Sequence, residues 1–210
     1  MQSELKKRIL SSIIIIPITF FFIVQGSTFF LFFLSLLFLI SSYEWIKIIK
    51  KSNIIRLIGI FFLFVSFYSA YHLRETQSLN FFFLILIICI FTDIGGYTLG
   101  KIFKGPKLSK ISPNKTYTGM FGGFLFSLIS GLFYIDYSRI ETSLSTLEIF
   151  LCIIIISFIG QIGDLIISFF KRKAKIKDTG TLLPGHGGLL DRLDGIVFVF
   201  LFLYLAKLII

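Results

Sequence analysis

Apolar residues in this chain come in long runs, and the polar positions are gathered between them. The runs extend over Ile9 to Val24, Thr28 to Ile46, Ile54 to Tyr71, Leu79 to Leu99, Thr118 to Ile135, Leu147 to Phe170 and Gly195 to Ile210. A helix rising 1.5 Å per residue needs about 17–25 apolar residues to cross a hydrocarbon core of about 30 Å. The pattern therefore predicts an all-α, polytopic transmembrane helical bundle of about seven helices, built as a single membrane domain over residues 1–210. The first and last runs are the shortest. There is no internal repeat and no low-complexity tail.

Composition sharpens this picture. Of 210 residues, 56% are hydrophobic and 18% aromatic, with 28 Phe, while 15% are charged and the mean hydropathy is +0.93. Soluble domains run at about 45–50% apolar and about 25% charged residues, so a soluble globular class is excluded. Cys89 and Cys152 lie inside apolar runs without paired spacing and read as buried small apolar residues. Lys6, Lys7 and Arg8 ahead of the first run imitate a secretory signal, but the run ends at Gln25, Gly26 and Ser27 without a small-residue cleavage pattern. It is expected to be a retained helix.

The net charge of +10 has little water-facing surface to occupy. With a cytoplasmic N-terminus and seven alternating helices, only Arg74, Arg139 and Lys207 fall on the far side; every other Lys and Arg falls in the cytoplasmic segments, as the positive-inside rule requires. Two of those segments, Gly100 to Tyr117 and Lys171 to Asp194, are long and rich in Gly, Pro, Lys and Ser. Long loops in compact domains are usually functional, which places the working face in the cytoplasm.

Two carboxylates, Asp93 and Asp164, lie within the fourth and sixth apolar runs, where each costs about 2.5–3.5 kcal/mol at a helix centre. Both sit roughly 10–12 Å below the cytoplasmic helix ends. Asp93 shares a helix face with Tyr97, and Asp164 with Ser168, one turn short of Lys171. Each Asp has two readings, an interhelical hydrogen bond or a functional group. Gly96 and Gly100 form a G-x-x-x-G that serves close helix packing or a site.

The segment KLSKISPNKTYTGMFGG, Lys107 to Gly123, combines lysines, Ser112, a Lys115-Thr116 pair and glycines leading into an apolar helix. Such a combination fits an anion site, or attraction to anionic lipid. The second loop, SFFKRKAKIKDTGTLLPGHGGLLDRLD, Ser168 to Asp194, holds Lys171, Arg172, Lys177, Asp178, His186, Gly187, Gly188, Asp191, Arg192 and Asp194. Asp191 and Asp194, three apart, share a face if the last helix begins there. Carboxylates beside phosphate-binding cations suit Mg²⁺, which takes one or two carboxylates plus substrate phosphates. His186 between glycines reads either as a general base or as a donor shaping a turn.

At these residues the chain resembles the phosphatidate cytidylyltransferase family, integral membrane enzymes that make CDP-diacylglycerol. The Ser, Lys-Arg, Lys-Asp, Pro, His-Gly-Gly and Asp-Arg elements with a closing Asp all occur in register from Ser168 to Asp194. The resemblance extends to Ser112, Lys115-Thr116, Gly119, Gly122 and Gly123, and to Asp93 with Tyr97. It implies a nucleotidyltransferase joining CTP to phosphatidate with release of pyrophosphate. Mg²⁺ is then expected on Asp164 and Asp191. Lys171, Arg172 and His186 complete the implied reaction centre, while Asp93, Tyr97, Ser112, Lys115, Thr116, Ser168, Lys177, Asp178, Gly187, Gly188, Arg192 and Asp194 contact substrates. The expected setting is the bacterial inner membrane, multi-pass, with the lipid bilayer as partner, no nucleic acid, and a homodimer carried over from the family. Ile167 departs from the pattern where members carry Glu before the Ser, and Thr118 where Glu or Gln precedes the Gly. Two other readings stay open: another CTP-dependent lipid enzyme, and an ion-coupled transporter using Asp93 and Asp164.

Overall fold

The computed structural model describes residues 2–109, 112, 115–140, 144–183, 185 and 187–209. The chain forms α1 (Gln2–Gln25), α2 (Ser27–Ile48), α3 (Asn53–Thr76), α4 (Leu79–Phe103), α5 (Tyr117–Ser138), α6 (Thr146–Lys173), the single-turn α7 (Leu190–Leu193) and α8 (Ile196–Ile209). Among the described residues the only β pairing is two isolated bridges, Lys107 with Thr116 and Leu183 with Gly187. The helices α2 to α6 are long and apolar enough to cross a membrane, and the apolar parts of α1 and α8 are shorter. This is a multi-pass membrane helical bundle. The seven apolar runs correspond to α1 to α6 and α8; α7 is an extra turn folded from the polar loop.

The exteriors of the helices are apolar, with Ile54, Phe61, Phe121, Phe133 and Leu147 among many large side chains facing outward. Water would not tolerate such a continuous surface, whereas lipid does. Both cysteines are free thiols. Cys152 is exposed on α6 and Cys89 half-buried, which corrects the expectation that both are buried.

The chain divides into two compact units, Met1–Thr76 with Phe170–Ile210, and Gln77–Phe169. In the first unit, Phe30, Trp45, Leu63, Ala70, Leu190, Val197 and Val199 are buried. Gly26, at φ +64°, turns the chain between α1 and α2, a backbone conformation open to glycine at no steric cost. Arg74 of α3 closes this corner. Its Nε donates to the Ile23 carbonyl at 2.7 Å and its Nη2 to Val24 at 3.1 Å, so a cation sits on the unpaired carbonyls ending α1.

In the second unit, α4 and α5 pack backbone against backbone. A Cβ added at Gly95 would lie 2.3 Å from the Gly122 carbonyl oxygen, and one at Gly119 would lie 2.7 Å from that of Gly96. Gly100 likewise packs on Gly119, which gives the G-x-x-x-G a packing role. A polar thread adds to this: Thr92 Oγ1 donates to Ile88 O at 2.7 Å and pairs with Ser157 Oγ at 2.8 Å. Caps set the ends. The Thr116 hydroxyl accepts from Gly119 N–H at 3.1 Å to start α5, and Ser145 with Glu148 forms a capping box opening α6.

Candidate active site

The first lysine-rich loop is drawn back on itself before α5. Leu108 N–H donates to Lys115 O at 2.8 Å and Tyr117 N–H to Pro106 O at 3.0 Å. Thr118 Oγ1 accepts from Gly105 N–H at 3.2 Å and lies 3.0 Å from Thr116 Oγ1. This is what occupies the position where the family pattern has Glu or Gln. The fold brings Lys115 onto α6, where its ammonium pairs with Asp164 Oδ2. Ser168 Oγ donates to Asp164 Oδ1 at 3.3 Å. The side chains of Lys115 and Asp164 keep 26% and 29% of their surface exposed. Both groups are therefore partly open to the surroundings of the fold. Elsewhere in this unit Asp93 is exposed on α4, and Tyr97, also exposed, stacks beneath the Lys101 ammonium at 5.5 Å.

The second loop builds a different cluster. Lys171, near the end of α6, reaches Asp191 Oδ1 at 2.8 Å and Asp194 Oδ2 at 3.8 Å. One turn of helix thus presents both carboxylates to one cation. Asp191 Oδ2 also accepts from the backbone N–H groups of Thr179 at 2.7 Å and Gly188 at 3.0 Å. The Lys171 and Asp191 side chains are only 10% and 6% exposed. Such charge-assisted bonds are the strong ones, and here they are shielded from water.

The same loop folds over Glu44 of α2, a residue that sequence reasoning passed over. Its Oε2 accepts from Thr179 Oγ1 at 2.7 Å and Leu190 N–H at 2.9 Å, and its Oε1 from Leu189 N–H at 2.9 Å. Glu44 is 3% exposed. A signal was available, because Glu44 lies inside the second apolar run just as Asp93 and Asp164 lie in theirs. Leu183 and Gly187 exchange backbone bonds of 3.0 and 3.1 Å, closing a tight turn with Gly187 at φ +88°. His186 lies outside the described residues.

Arg172 donates to the Ile176 carbonyl at 3.1 Å, while Lys177, Asp178 and Arg192 are exposed. The Ser112 carbonyl accepts from Lys115 N–H at 3.0 Å. Ile167 is buried in the fold. Among the described residues no group of three His, Cys, Asp or Glu is placed to hold a metal. Mg²⁺ takes one or two protein carboxylates and completes its shell with water and substrate phosphates, and Asp164, with 29% of its side chain exposed, has the donor chemistry for it.

A multi-pass helical bundle that spends its polar residues on lysine and carboxylate clusters near helix ends has the equipment of a membrane-embedded phosphate-transfer enzyme. The sequence model of the Cytidylyltransferase family matches residues 54–209, and the chain belongs to that family. It is similar to a phosphatidate cytidylyltransferase of Rickettsia conorii, 35% identical over 99% of this chain and 93% of the relative. A phosphatidate cytidylyltransferase of Rickettsia typhi is 38% identical over 90% and 86%. One from Staphylococcus haemolyticus is 39% identical over 61% of this chain and 49% of its own length.

Proposed function

We infer that the protein is a nucleotidyltransferase that converts CTP and phosphatidate into CDP-diacylglycerol and pyrophosphate within a membrane. A phosphate oxygen of phosphatidate bonds to the α-phosphorus of CTP as the bond from that phosphorus to the β-phosphate bridging oxygen breaks, and pyrophosphate leaves. The second pKa of a phosphate monoester is about 6, so the nucleophile is largely dianionic at pH 7. No general base is needed. The demand is instead for neutralisation of two anions and for in-line placement.

The observation that carries this reading is that loop residues of the matched family stretch form lysine–carboxylate clusters at the ends of apolar helices. Lys115 and Thr116 bind phosphate oxygens, Lys115 leaving Asp164 as it does so. Lys171 holds Asp191 and Asp194 in place, and Arg172, Lys177 and Arg192 supply further positive charge toward the substrates. Asp93, Tyr97, Ser112, Ser168, Asp178 and the glycines Gly187 and Gly188 complete the substrate contacts in this reading. We assign Asp164 and Asp191 to Mg²⁺, whose chemistry is to neutralise phosphate charge and orient the α-phosphate. The reaction takes place at the cytoplasmic face of the bacterial inner membrane, where a lipid headgroup meets a cytosolic nucleotide, and the protein works as a homodimer.

The test is release of pyrophosphate from CTP by the purified protein in detergent. Release that requires both Mg²⁺ and phosphatidate is expected, and Asp164→Asn and Asp191→Asn should each abolish it. Absence of release from the wild type, or full release by either variant, overturns the assignment.

A further inference from the structure

Glu44 stands upstream of residues 54–209, the stretch matched by the family model, yet its carboxylate takes three hydrogen bonds from the motif loop. Its carboxylate takes Thr179 Oγ1 and the amides of Leu189 and Leu190. Asp191 takes the amides of Thr179 and Gly188. Thr179 is therefore a fork, with its hydroxyl on Glu44 and its N–H on Asp191. The consecutive amides of residues 188 to 190 are likewise divided between the two carboxylates.

Space enforces the arrangement. A Cβ at Gly188 would lie 2.0 Å from Thr179 Oγ1 and 2.6 Å from Glu44 Oε2, and one at Gly180 would lie 2.6 Å from Glu44 Oε1. The glycines of this loop thus admit a carboxylate against the backbone. That carboxylate comes from α2, and the loop it holds carries the partner of Lys171.

We propose that Glu44 is a positioning residue for the reaction: through Thr179 and the amides of Leu189 and Leu190 it sets the orientation of Asp191 and, through Asp191, of Lys171. This deepens the cytidylyl-transfer reading and rests on it. Both oxygens of the Glu44 side chain act as acceptors here. Glutamine, which fills the same volume, turns an NH₂ donor toward one set of these donors.

The experiment measures kcat and KM for CTP and phosphatidate, with the unfolding midpoint, in Glu44→Gln, Thr179→Val and Thr179→Ser. Supporting residues around a reaction centre typically cost about 10–100-fold in activity when lost. Glu44→Gln and Thr179→Val are expected to lower kcat by that factor with little change in either KM. Thr179→Ser, which keeps the hydroxyl, should retain activity, and the double variant Glu44→Gln/Thr179→Val should be no worse than the poorer single one. Unchanged kcat in Glu44→Gln, or equal losses in Thr179→Val and Thr179→Ser, overturns the proposal. Should Glu44→Gln not fold, the two Thr179 variants decide. If Asp191→Asn is inactive while Glu44→Gln is fully active, only this proposal falls; if the wild type releases no pyrophosphate, the functional reading falls and takes this one with it.

Discussion

The two lysine–carboxylate clusters use the same residue types and differ in burial. Lys115 with Asp164 is about a quarter exposed on each side chain, and apart from Lys115 the carboxylate receives the Ser168 hydroxyl at a long 3.3 Å. Lys171 with Asp191 is almost closed to solvent, and Asp191 also receives two backbone amides. An exposed ion pair contributes about 0–1 kcal/mol, whereas breaking a buried pair from one side costs about 3–5 kcal/mol. The second pair therefore contributes more than the first to holding its loop in place.

This contrast can be broken by experiment, most strongly at Lys171. Lys171→Met leaves Asp191 buried without its cation and should lower stability by about 3–5 kcal/mol, read by denaturant unfolding in detergent micelles; a stability equal to wild type would show that the cluster is open. Next is Gly188→Ala, which forces a methyl into Thr179 and Glu44 and should cost about 1–3 kcal/mol through overpacking, along with most of the activity. Thr116→Ala removes the α5 cap at about 1 kcal/mol, and Thr116→Ser should restore it. Smallest in stability is Lys115→Ala, expected below about 1 kcal/mol, although it should reduce pyrophosphate release by about 10²-fold or more. A Lys115→Ala protein that unfolds as readily as Lys171→Met would erase the distinction between the clusters.

Helix number and extent were largely legible in the chain, because a lipid solvent demands long apolar runs and leaves few alternatives. The observed ends pass the runs by a few residues, as at Phe103 and Lys173, since polar residues continue a helix until a turn-forming segment stops it. The loops bearing Lys115 and Lys171 were legible as well, through their excess of Lys, Gly and Pro. Partner choice was not. Nothing in the spacing says that Lys115 meets Asp164, or that Lys171 meets Asp191. Glu44 lies inside the second apolar run as Asp93 and Asp164 lie in theirs, but its donors lie at residues 179 to 190, far from it in the chain.

Arg74 illustrates the same limit. By charge placement alone it is an exception on the far side of the membrane; folded, it closes the carbonyl end of α1. What the sequence by itself determined was solvent, helix count and the chemical class of the loops, since these depend on composition and on patterns within about twenty consecutive residues. The tertiary structure alone decided how many donors each carboxylate receives and how far it is shielded from water. That depends on donors far apart in the chain, the Thr179 hydroxyl and the amides of residues 188 to 190 among them, which only folding brings to Glu44 and Asp191.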